Sequence, residues 1–130
     1  MATPSGRDAA ILVADDDALV RTVLRLALAA EGYDVIEAAD AAAIAGLDEA
    51  APIAVAILDV HMPGGTVQDS LEALEARRPA PAVLLLSGDH RPDAAILGRV
   101  AGVARKPIEL DELRARVGDL LRLGGRPEST

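Results

Sequence analysis

Four short stretches of this 130-residue chain carry residues that could share one piece of chemistry. Asp15, Asp16 and Asp17 follow the apolar run Ile11–Ala14. Asp59 ends the run Ile53–Leu58 and is followed by Val60, His61, Met62, Pro63 and Gly64. Ser87 and Gly88 close the run Ala82–Leu86, and Lys106 and Pro107 come after Ala101–Ala104. Aspartates brought together repel one another, and burying them unpaired is expensive. A divalent cation with a preference for hard oxygen ligands resolves that conflict, and Mg2+ takes few protein carboxylates and keeps waters. A lysine beside such a metal counters charge on an anion, most simply a phosphoryl group, and a serine hydroxyl can donate to the same group. A carboxylate at the centre of that arrangement is a competent phosphoryl acceptor.

Singly, each stretch has an ordinary structural reading. Consecutive aspartates at a strand–helix junction cap the helix and favour its dipole. Asp59 before His-Met-Pro-Gly reads as turn chemistry, Ser87-Gly88 as a loop, and Lys106 as one more surface lysine. Their joint occurrence at four different strand ends favours a site. His61 and His90 lie in different loops without a His-x-x-x-His spacing, so both read as loop residues at the mouth of that site rather than as side-chain metal ligands.

The elements that must position these residues follow from the hydrophobic pattern. The runs Ile11–Ala14, Tyr33–Glu37, Ile53–Leu58, Ala82–Leu86 and Ala101–Ala104 read as five strands, the third and fourth nearly continuous in apolar residues, as in strands covered on both faces. Between them, Val20, Val23, Leu24, Ala27 and Leu28 follow helical spacing up to a stop at Gly32. Leu110, Leu113, Val117, Leu120 and Leu121 form a second stripe after Pro107, with Glu112 and Arg116 paired at i, i+4. Val67, Leu71 and Leu74 predict a helix that Pro79 ends, and Pro92 in a first turn with Ile96 and Leu97 predicts another. Asp40 caps a weaker, alanine-rich helix running to Leu47. Strand–helix alternation repeated five times implies an α/β fold with a parallel sheet covered on both sides, whose ligands bind beyond the carboxyl ends of the strands.

Composition narrows the function further. The net charge is −8 and the isoelectric point about 4.6, which argues against neutralising nucleic-acid phosphates. Alanine supplies 27 of the residues, Tyr33 is the only aromatic, and base stacking and aromatic cages lack their material. Without cysteine, disulfides, thiolate nucleophiles and cysteine zinc sites are excluded. No run reaches the ~20 apolar residues of a membrane span, and the polar start gives no signal peptide. The reading is one cytoplasmic domain over 1–130, with a core of about 10–123 and flexible ends at 1–8 and 124–130.

At these residues the chain resembles the receiver domain of two-component response regulators, over nearly its whole length. The resemblance implies a flavodoxin-like, doubly wound five-stranded parallel sheet of order 2-1-3-4-5 flanked by five helices. It implies that Asp59 is the phosphoacceptor, that Asp16 and Asp59 are direct Mg2+ ligands with Asp15 acting more through water, and that the main-chain carbonyl of His61 is the third protein ligand. Ser87 matches the switch hydroxyl, Gly88 the small residue beside it, and Lys106 the phosphate-pairing lysine, with a cis Lys106-Pro107 peptide. The implied partners are a sensor histidine kinase or histidine phosphotransfer protein and a downstream protein at the helix 4–strand 5–helix 5 face. The acidic charge and the lack of a long apolar run give the expectation of no nucleic acid and no membrane. The implied role is a stand-alone switch rather than an enzyme. Two positions depart from the family: Val103 stands where an aromatic is usual, and Val67 where glycine is usual. Valine disfavours positive φ, so the loop into the third helix should be reshaped. Two other functions compete. A phosphate-independent pseudo-receiver adaptor gains from Val103 and Val67. A haloacid-dehalogenase-type phosphatase would use Asp15-Asp16-Asp17 but leaves Asp59 unexplained and has Leu19 where Thr or Val is usual.

Overall fold

The computed structural model describes residues 9–88 and 92–124. Ten elements alternate: β1 (Ala10–Ala14), α1 (Ala18–Ala30), β2 (Val35–Ala38), α2 (Ala41–Ala45), β3 (Ile53–Asp59), α3 (Val67–Glu75), β4 (Ala82–Ser87), α4 (Ala94–Leu97), β5 (Gly102–Arg105) and α5 (Leu110–Gly124). The strands form one sheet of order β2-β1-β3-β4-β5, every neighbouring pair parallel. This is the doubly wound fold the resemblance implied.

The sheet divides the core because successive strand residues point to opposite faces. Ile11 and Val13 join Leu24, Leu28, Leu84, Leu113 and Val117 under α1 and α5. Leu12 and Ala14 join Ile44, Leu58, Leu71, Leu74 and Ile96 under α2, α3 and α4. Burial of both faces explains why β3 and β4 read as continuous apolar runs.

Helix boundaries are set by local chemistry. Asp17 accepts hydrogen bonds from the Leu19 and Val20 amides and starts α1, and Gly32, at φ +94°, lets the chain turn after it. Thr66 and Asp69 form a capping box at the start of α3, an arrangement worth about 1 kcal/mol per cap. Several expectations shift. The second strand begins at Val35, since Tyr33 completes the turn after α1 by donating to the Leu28 carbonyl at 3.3 Å. α2 stops at Ala45, and α4 has four residues with Asp93 as its cap, so Pro92 precedes the cap instead of occupying the first turn. Val23 and Leu110, expected in buried stripes, are 41% and 36% exposed. The loop before α3 takes its positive φ at Gly64 (+85°), leaving Val67 as an ordinary first helical residue behind the Thr66 cap. The Lys106-Pro107 peptide is cis, as is Arg78-Pro79. Of the expected flexible ends at 1–8 and 124–130, Gly124 instead closes α5, and 1–8 and 125–130 lie outside the described residues.

Candidate functional site

All four chemistry-bearing stretches meet at the carboxyl edge of the sheet. Asp59 is the last residue of β3, and the Val60 amide bonds the Leu86 carbonyl at 3.0 Å, carrying the β3–β4 pairing past it. Ser87 ends β4 and accepts the Lys106 amide at its carbonyl, 2.8 Å away, which brings the lysine across from β5. Asp15, Asp59 and Ser87 are buried, whereas Asp16 is exposed. Carboxylate oxygens of Asp15, Asp16 and Asp59 lie within 4.8 Å of one another.

One ammonium faces the two buried acids. Lys106 Nζ stands 3.1 Å from Asp15 Oδ2 and 3.3 Å from Asp59 Oδ2. The other oxygens are held by the main chain: Asp59 Oδ1 accepts the His61 amide at 3.1 Å, and Asp15 Oδ1 accepts the Asp17 amide at 2.9 Å. Burial raises the Asp59 pKa above its ordinary value, with the Asp15 charge adding to the rise and the His61 amide and Lys106 opposing it. For Lys106 burial alone would lower the pKa, but the bonds and charges of Asp15 and Asp59 leave it raised.

Three carboxylates against one ammonium leave an excess of negative charge on hard oxygen donors. That donor set fits a small divalent cation held by Asp15, Asp16 and Asp59. The amide of His61, rather than its imidazole, touches the site residue Asp59. Its exposed side chain lines a cleft of about 520 Å3 with Asp16, Thr66 and Gln68. His90 lies outside the described residues. Among the described residues, a Cβ at Gly88 would meet no atom within 4 Å, so packing against them does not demand glycine there. Arg21 was not legible as part of this region: its Nη1 donates to the Asp15 carbonyl at 2.8 Å, and its sole sequence signal was a lone cation one turn after Asp17.

A family model described as the response regulator receiver domain matches residues 11–118. The DNA-binding transcriptional regulator NtrC of Rhizobium meliloti is 37% identical over 116 residues, 87% of this chain and 24% of that protein. The probable transcriptional regulatory protein TcrX of Mycobacterium tuberculosis is 32% identical over 129 residues, 96% of this chain and 55% of that protein. The chain therefore spans about half or less of the length of these relatives. Among solved structures, a response regulator receiver domain protein from Clostridium thermocellum superposes with TM-score 0.78 at 26% identity, covering 90% of this chain and 97% of that one. A CheY-like receiver domain protein from Methanospirillum hungatei gives TM-score 0.79 at 24% identity, covering 91% and 98%.

Proposed function

This chain belongs to the receiver domains of two-component response regulators, and from that premise we propose that it accepts a phosphoryl group on Asp59 in a Mg2+-dependent reaction. The observation that carries the reading is the placement of Asp59 on the central strand with a lysine ammonium and two further carboxylates around it. The Asp59 Oδ2 attacks phosphorus, the phosphorus–nitrogen bond of a phosphohistidine breaks, and its electron pair leaves on the imidazole nitrogen. Mg2+, when bound, would offset negative charge on the phosphoryl oxygens. Lys106 already bonds Asp59 Oδ2 and so stands where it can pair with a transferred phosphoryl oxygen, while Ser87 can donate to another. The His61 amide orients the carboxylate from the other side.

The donor reading is a sensor histidine kinase or histidine phosphotransfer protein. Its docking face is proposed on α1, where Leu19 (71% exposed) and Val23 border an apolar cleft of about 370 Å3 that runs to Lys106, Pro107 and Ile108. The downstream partner is proposed to read α4, β5 and α5. The acidic charge of this unit makes nucleic acid an unsuitable partner for its own surface. The names of NtrC and TcrX place gene regulation in those longer proteins.

The test is intact mass after incubation with Mg2+ and acetyl phosphate. One phosphoryl increment is expected in the wild type, none without Mg2+, and none in Asp59→Asn. Labelling that persists in Asp59→Asn would overturn the assignment, and no labelling with an intact fold would favour the phosphate-independent adaptor.

A further inference from the structure

Arg21 lies on α1 behind the acids, and its guanidinium ties three elements together. Nη1 donates to the Asp15 carbonyl at 2.8 Å, and Nε donates to Glu37 Oε1 at 3.2 Å. Glu37 sits on β2 opposite Val13, and its second oxygen is 2.9 Å from Arg25 Nε, one turn further along α1. The Arg21 side chain is only 18% exposed, less than half as open as Arg25 at 39%.

The carbonyl that Arg21 holds belongs to the peptide joining Asp15 to Asp16. That unit is planar, so fixing its oxygen fixes the amide nitrogen of Asp16 and the direction in which the chain enters that residue. Asp15 has further anchors of its own: its amide bonds the Ala38 carbonyl at 3.1 Å, and its side chain bonds the Asp17 amide and Lys106. Asp16 is exposed, and its place within 4.8 Å of Asp15 and Asp59 depends on the backbone leading into it.

We propose that Arg21 is a positioning residue for the cation site: by holding the Asp15 carbonyl it aims the Asp16 carboxylate toward Asp15 and Asp59. This rests on the reading of those acids as a Mg2+ site. Arg21 itself touches neither metal nor phosphoryl group. Its positive charge makes the proposal decidable by sign. If only charge mattered, removing a cation near the site would tighten Mg2+ binding; if positioning matters, removal weakens it.

The test follows Mg2+ titrations by amide chemical shifts at fixed ionic strength in the full chain, comparing wild type, Arg21→Met and Arg25→Met. Both variants lose one positive charge and one bond to Glu37, and only Arg21→Met loses the bond to the Asp15 carbonyl. Arg21→Met is expected to weaken Mg2+ binding about tenfold, the lower end of what losing a group that orients a metal ligand costs. Arg25→Met should stay within about twofold of wild type, with Arg21→Lys between the two. In the metal-free protein the Asp16 and Asp17 amide signals should move in Arg21→Met and stay in place in Arg25→Met. Equal or tighter binding in Arg21→Met, or the same loss in both variants, overturns the proposal. Should Arg21→Met not fold, Arg21→Lys must show the loss by itself. A wild type with no Mg2+ response defeats the cation reading, and the metal-free amide comparison still decides whether Arg21 orients the turn.

Discussion

Burial governs how Asp59 titrates, and hence what its charge does to the fold. Desolvation, joined by the charge of Asp15, raises its pKa above the ordinary 3.8 against the opposing pull of the His61 amide and Lys106. A carboxyl whose folded-state pKa is raised contributes stability that is complete below 3.8 and lost as pH climbs through the folded value. The metal-free protein should therefore be less stable than Asp59→Asn at pH 7, and the gap should close as pH falls toward 4. The raised pKa of Lys106 acts on the alkaline side, where its contribution is lost as pH climbs through the folded value above 10.5, so it does not disturb this window. Calorimetry in chelator across that acidic range checks the sign, and a gap that is constant with pH would refute it. The residues of the site were legible because each stands at a strand end, where a parallel sheet collects side chains from distant parts of the chain. The roles of the His61 amide and of Arg21 were not, because main-chain donors and carbonyl-holding guanidinium groups leave no residue pattern of their own.

At the scale of elements, β5 carries Val103, one of the two positions where the resemblance implied another residue. Val103 lies opposite Leu85 and is half-buried against the α2–α3–α4 side of the core. Its carbonyl accepts a 3.1 Å bond from Arg116 of α5, which is also paired with Glu112 at 3.3 Å. Gly102 makes room for that crossing, since a Cβ there would come within 2.7 Å of the Arg116 guanidinium. Valine is short and stiff at χ1, so its rotation displaces far less volume than a ring would. Phosphorylation shifts a two-state surface only through differential interaction with its two states. With beryllofluoride and Mg2+ added, Ser87 and Gly88 amides should therefore shift strongly, and those of 101–104 and α5 less. Val103→Tyr should enlarge the second set. Large shifts along β5 in the wild type, with nothing added by tyrosine, would show that Val103 is no impediment. The 3.6-residue stripes made α1 and α5 legible, because long helices repeat their pattern. α2 and α4, five and four residues long, repeat nothing; the Asp40 cap marked where α2 starts, whereas for α4 the pattern pointed to a Pro92 first turn and not to the Asp93 cap. Val23 entered the buried stripe of α1 because periodicity cannot tell an exposed apolar position at the edge of the stripe from a buried one.

Across the whole molecule, alternating strands and helices made a covered parallel sheet legible, whereas the order β2-β1-β3-β4-β5 came from the family resemblance, because alternation alone does not choose among orders. The same topology concentrates negative charge at one edge of a chain already carrying a net −8. Folding without metal must hold Asp15, Asp16 and Asp59 together against their repulsion with one lysine to offset it. An ion that binds only the folded state stabilises it by mass action, about 2.7 kcal/mol at a hundredfold excess over the dissociation constant. For a domain of this size each kcal/mol is worth about 3–5 °C, so saturating Mg2+ should raise the melting temperature by about 8–14 °C. Screening of general charge by salt would give a rise too, so sodium chloride at equal ionic strength is the control. Asp16→Asn should lose most of the Mg2+ increment while keeping the salt response, because it removes one of three carboxylates and leaves both buried acids paired with Lys106. A wild type that responds equally to both salts, or an Asp16→Asn variant that keeps the full increment, would show that these acids are a charged edge and not a cation site.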